Sequence, residues 1–153
     1  MRVRLIWVGK TRDARLRALA DEYLKRLARF TRCEVVELRE SAARKPLEGI
    51  EDESRRIISA LRPEALTILL EVEGRQWSSQ EVAAQVEQWQ TGGTRDVAFV
   101  IGGPHGVSKE VGQRASLRWS LSRLTLTHEM ARVILLEQLY RAYTIIHGLP
   151  YQK

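Results

Sequence analysis

Apolar positions fall along this chain in two periods. Five short runs, residues 3–8, 34–38, 66–72, 97–101 and 124–126, are rich in valine, isoleucine and leucine. They mostly lack alternation, as strands buried on both faces should. Between them, apolar residues recur every three or four positions. Leu16, Leu19, Tyr23, Leu27 and Phe30 form one such stripe, with Arg15, Lys25, Arg26 and Arg29 on the other surfaces. Residues 48–61, 79–90 and 108–116 predict further helices, the last two opened by serine in capping position. The longest helix spans 129–147 and is ended by Gly148 and Pro150. Strands alternating with helices predict βαβ units. The expected fold is therefore α/β, a mostly parallel sheet flanked by helices, in a single domain over residues 1–153.

The final helix changes this picture. From Met130 and Val133 through Leu139 to Ile146 its apolar residues cover nearly the whole circumference. A helix apolar all round is enclosed on all sides. In a chain of 153 residues this predicts one face on the sheet and another on a second subunit.

Charge is distributed unevenly within the net +6. Residues 1–32 hold ten lysines and arginines against three acids, residues 64–96 two against six, and residues 109–153 seven against three. A basic excess at both ends points to an anionic partner, nucleic acid, over a merely solvated face. Cys33 has no partner for a disulfide, and no apolar run approaches the length of a membrane span. Both fit a cytoplasmic protein. His105, His128 and His147 lie far apart, so no metal is expected. Cys33 enters a strand as a small buried hydrophobe would, which argues against a nucleophile.

In open parallel sheets, ligands bind beyond the carboxyl ends of the strands. Three such ends carry unusual residues: Leu70-Glu71-Val72-Glu73-Gly74, Gly102-Gly103-Pro104-His105-Gly106, and the run from Leu121 to Leu126. The glycines allow close backbone approach to a ligand, although a sharp strand-to-helix turn would use them equally. No Walker loop and no Gly-x-Ser-x-Gly elbow occurs. Glu137 and Arg141 stand one helical turn apart, and the plain reading of that spacing is an ion pair.

Several strings together resemble one family. They are Val8-Gly9-Lys10, Tyr23-Leu24-Lys25-Arg26-Leu27, Ile101-Gly102-Gly103-Pro104-x-Gly106 and Leu124-Thr125-Leu126-Thr127-His128, followed by Leu135-Leu136-Glu137-Gln138-Leu139-Tyr140-Arg141-Ala142 and Gly148-Leu149-Pro150-Tyr151. In this order and spacing, across the whole chain, they resemble the ribosomal RNA large subunit methyltransferase H family of the SPOUT superfamily. The resemblance implies a sheet whose C-terminal part forms a trefoil knot, which the rarity of knots would otherwise argue against. It implies a homodimer and S-adenosyl-L-methionine held by the knotted loops. By match of position the cofactor contacts are Leu70, Gly102, Gly103, Leu121, Ser122, Arg123, Leu124, Thr125 and Leu126. The implied reaction is methylation of N(3) of pseudouridine 1915 in 23S ribosomal RNA on the assembled ribosome. Two positions depart from the family: Glu71 stands where aspartate is usual, and Gln152 where many members have histidine.

The reaction needs an imide proton removed and the resulting anion stabilised. Arg141, held by Glu137, is the candidate for the anion, and His128 the candidate proton acceptor. Lys10, Arg12, Lys25, Arg26 and Arg29 are the expected phosphate contacts. A knotted enzyme acting on transfer RNA and a ribosome-associated RNA-binding protein without activity are the competing readings.

Overall fold

The structure is a computed structural model describing residues 1–151, so Gln152 lies outside the described residues. The chain runs β1 (Arg2–Val8), α1 (Ala14–Leu27), β2 (Arg32–Leu38), α2 (Pro46–Ala60), β3 (Leu66–Gln76), α3 (Ser79–Thr91), β4 (Asp96–Ile101), α4 (Lys109–Arg114), β5 (Leu117–Ser120) and α5 (His128–Ile146). All strand pairs are parallel, in the order β2-β1-β4-β3-β5. The central strands β1 and β4 are the most buried, because helices cover both faces. Leu5, Phe99 and Val97 meet α1, α3 and α5 on one side, while Ile6, Val100 and Leu69 meet Ile57 of α2 and Val111 of α4 on the other. The α/β architecture expected from the alternation is the one observed.

Helix starts follow local chemistry. The Asp13 carboxylate accepts from the backbone N–H groups of Arg15 and Leu16, Ser78 and Glu81 form a reciprocal capping box, and Thr127 caps α5. These caps fix where each connection ends. The registers pair Val8 with Leu38, Trp7 with Ile101, and Leu70 with both Ile101 and Trp119. The carboxyl ends of all five strands therefore form one edge.

One expectation needs correction. The fifth strand is Leu117–Ser120, and residues 124–126 are loop. Leu-Thr-Leu has the apolar density of a strand, but the chain turns before it: the Ser120 hydroxyl donates to the Ser122 carbonyl (2.9 Å) and Leu124 N–H donates to Ser122 Oγ (3.0 Å). Trp119, buried against Trp77 and Phe99, is the residue that anchors the true strand. Most of the apolar girth of α5 is covered within the chain. It packs between α1 and α3 and against the sheet, leaving an outer stripe through Met130 and Ile134.

Candidate functional site

A cavity of about 450 Å³ opens at the carboxyl edge, within the size range of small-molecule sites. Its walls come from the end of β3, the loop after β4, the loop after β5 and the first turn of α5. Leu70, Gly102, Gly103, Leu121, Ser122, Leu124, Thr125 and Leu126 all line it. Arg123, the ninth expected contact, is exposed and absent from the lining. His128 lines the cavity as well, as do Glu71 and Val72 of the strand end singled out in the sequence, together with Val107 and Ala131, which the sequence did not point to. The strand-end rule pointed to the region but could not reach Ala131, one turn into a helix.

Local packing explains the glycines. A Cβ at Gly102 would lie 2.6 Å from Val107 Cγ1 and 3.3 Å from the Gly106 carbonyl carbon. One at Gly103 would run into the Glu53 carboxylate. Behind this loop α2 supplies two supports: Glu53 lies against Gly103, and buried Ser54 accepts from Ser108 N–H at 2.9 Å. On the other wall Glu71 accepts from Arg118 Nη1 at 3.0 Å, so the longer acid at this position has its own cation.

His128 titrates below its ordinary value, first because burial penalises the charged ring and then because Arg132 stands nearby. Glu53 acts weakly in the opposite direction. Arg132 is a buried residue that nothing in the residue pattern singles out. Its Nη2 donates to the Val8 carbonyl (2.7 Å), its Nη1 to Thr11 Oγ1 (3.0 Å), and its guanidinium lies over the Trp7 ring. It pins α5 to the end of β1. Glu129 adds to this by accepting from Asp13 N–H at 2.9 Å.

Glu137 and Arg141 do form the ion pair expected, with Arg141 Nε 3.0 Å from Glu137 Oε1. That carboxylate also accepts the Tyr151 hydroxyl at 3.0 Å, and the Arg141 guanidinium lies over the Tyr151 ring. Hydrogen bonding to Glu137 holds the Arg141 pKa above its ordinary value, so its charge is secure. Within one chain, however, Arg141 is not at the cavity. Thirteen helical steps separate it from His128, about 20 Å at 1.5 Å per step.

The expected phosphate contacts also divide. Helix α1 runs from the carboxyl edge back to the amino edge, about 21 Å over its 14 residues. Lys10 and Arg12 precede it and stay at the carboxyl edge. Lys25, Arg26 and Arg29 lie at its far end, where Arg26 pairs with Glu22 and covers the rings of Tyr23 and Tyr140. Burial pushes the Cys33 thiol up to about 11, which suits a packing residue. Among the described residues, no helix is long and apolar enough to cross a membrane.

A parallel sheet with a loop-walled cavity at its carboxyl edge defines an α/β protein built to hold a small ligand. The chain matches the family described as "Predicted SPOUT methyltransferase" over residues 1–152. It is 42% identical over 156 residues to "Ribosomal RNA large subunit methyltransferase H" of Anaeromyxobacter sp. (strain Fw109-5), covering all of both chains. It is 39% identical to the protein of that name from Desulfotalea psychrophila, again over all of both, and 40% identical to that of Gloeobacter violaceus over 99% of this chain and 98% of the other. The chain belongs to the SPOUT methyltransferases, in the family of ribosomal RNA large subunit methyltransferase H.

Proposed function

We propose that this protein methylates N(3) of pseudouridine 1915 in 23S ribosomal RNA, on the assembled ribosome and with S-adenosyl-L-methionine as donor. The observation that carries the reading is the convergence of eight family-matched positions on one cavity of suitable size. The lining suits the donor: leucines on the β3 and β5 sides offer an apolar slot, and the glycine-bounded backbone offers hydrogen-bonding groups without side chains in the way. The trefoil path of the C-terminal segment and a cytoplasmic site of action belong to the same reading. The test is methyl transfer from labelled donor to ribosomes of a strain lacking the endogenous modification. Absence of transfer to those ribosomes, with transfer to transfer RNA or to nothing, would reject it.

When bound, S-adenosyl-L-methionine supplies a methyl group activated by its sulfonium. The chain must then align the acceptor nitrogen, exclude water and dispose of the imide proton. The N(3)–H bond breaks and its proton passes to His128 Nδ1 or Nε2, leaving the nitrogen pair free to attack. Because burial keeps His128 neutral, it can accept that proton over most of the physiological range. The rate should therefore fall only below an apparent pKa lower than 6.5, and His128→Asn should remove that acidic limb from the pH profile of kcat. An unchanged profile in the variant would exclude His128 as the acceptor.

Arg141 would stabilise the negative charge developing on the ring carbonyls. Since α5 holds Arg141 about 20 Å from His128, the two serve one reaction only if Arg141 comes from a second copy. A homodimer is therefore part of the proposal, with the outer stripe of α5 through Met130 and Ile134 as its contact. Sedimentation at micromolar concentration should give twice the 17.6 kDa chain mass, and Ile134→Glu should give monomers without transferase activity. A wild-type monomer that still methylates ribosomes would exclude this arrangement.

A further inference from the structure

The carboxyl edge holds a second feature beside the cavity, the connection between β2 and α2. Residues 39–45 carry Arg39, Arg44 and Lys45 against the single acid Glu40, all exposed. The loop is not free to wander. Ser41 N–H donates to Glu53 Oε2 (2.9 Å), Ser41 Oγ donates to Asp52 Oδ2 (2.8 Å), and Arg56 Nη1 donates to the Arg39 carbonyl (2.7 Å). The same Glu53 lies against Gly103 of the cavity wall. One carboxylate thus holds the basic loop and lies against the cavity wall. The neighbouring loop after β1 joins the platform through the Arg12–Glu40 contact at 3.4 Å, and Glu129 ties that loop to the helix bearing His128.

Both edges of the sheet carry paired and unpaired cations. At the amino edge Arg2, Arg4 and Arg62 pair with Asp96 and Glu34 at 2.9–3.0 Å, while Lys25, Arg29, Arg32 and Arg95 form no ion pair among the described residues. At the carboxyl edge Lys10, Arg39 and Arg44 form no ion pair among the described residues, and Lys45 reaches Glu48 only at 3.9 Å. Exposed cations without close internal partners, carried on a loop whose backbone is tethered beside the cavity, suit an external polyanion. Arginine suits phosphate best, because its planar fork can meet two oxygens at once.

We infer that the tethered 39–45 loop, together with Lys10 and Arg12, is a platform for the RNA phosphate backbone beside the cavity of the same chain. The inference rests on the proposed function in taking the polyanion to be ribosomal RNA. Phosphate contacts of this kind position the substrate without reading sequence. They also release condensed counterions, so they can be counted from the salt dependence of binding.

The test uses the full chain with Arg39→Gln, Arg44→Gln and Lys45→Gln combined, and a charge-keeping control with Arg39→Lys and Arg44→Lys. Ribosome binding is followed over a salt series, methyl transfer is resolved into KM and kcat, and donor affinity is measured by calorimetry. The glutamine variant should flatten the log–log salt slope by about two to three units and raise KM for ribosomes about tenfold or more. The lysine control should restore the slope. Donor affinity should be that of wild type, because none of the three residues lines the cavity. A Lys25→Gln, Arg26→Gln, Arg29→Gln variant serves as comparator. If it alone flattens the slope while the loop variant keeps the wild-type slope, the platform lies at the end of α1 and this inference is overturned. Failure of the proposed function would look different, because wild-type protein would then bind ribosomes without methylating them.

Discussion

Gly102→Val is expected to weaken S-adenosyl-L-methionine binding by about 100-fold or more, near 2.7 kcal/mol, in a protein that still folds. Gly102 directly follows β4, and the Trp7–Ile101 pairing before it holds the strand in place whatever happens beyond. A first added carbon already sits 2.6 Å from Val107 Cγ1, and valine adds two methyl groups to that conflict. Val107 and Gly106 are themselves cavity wall, so relief of the clash must move the wall. Calorimetry with the donor measures the loss, and a thermal melt checks the fold. Gly103→Ala is an informative contrast, since its new carbon meets the end of the Glu53 side chain, which can shift at the expense of its Ser41 hydrogen bond without moving the cavity backbone. A smaller effect on the donor is expected there. Micromolar binding retained by a folded Gly102→Val protein would remove the loop from the site.

Much of the architecture was legible because parallel strands buried on both faces must be apolar without alternation, and β1, β3 and β4 have that signature. β5 did not. Leu-Arg-Trp-Ser carries one exposed arginine and one buried serine in four residues, so its apolar density is low, while the nearby Leu124–Leu126 run imitates a strand. The same leucines earned their place in the cavity for a different reason, as residues of a strand-end loop. Arg132 was illegible because a buried arginine is coded like a surface one; only its contacts with Val8, Thr11 and Trp7 distinguish it. The charge count over residues 1–32 was correct but averaged two edges of the molecule. A helix returning across the sheet puts Lys10 and Lys25 on opposite sides, and no composition window resolves that.

The separation of His128 and Arg141 was equally hidden, and it leads to the second large expected effect. Arg141→Ala should lower kcat by about 10²–10³-fold, the usual cost of removing one donor that stabilises a developing anion. Donor binding should be spared, because Arg141 lies outside the cavity lining of its own chain. The guanidinium is prepared for such a role: Glu137 fixes it, the Tyr151 ring backs it, and the Tyr151 hydroxyl shares the carboxylate with it. Arg141→Lys should recover little, since a point charge cannot reproduce the two-nitrogen contact with Glu137. The decisive measurement mixes two impaired chains, Arg141→Ala and His128→Asn, denatured and refolded together. If the reaction takes His128 from one subunit and Arg141 from the other, each mixed dimer contains one intact site. Random pairing then restores about a quarter of wild-type activity. If both groups act within a single chain, every site in the mixture lacks one of them. Activity would then stay at the level of the separate variants, and the two-subunit reading would be wrong.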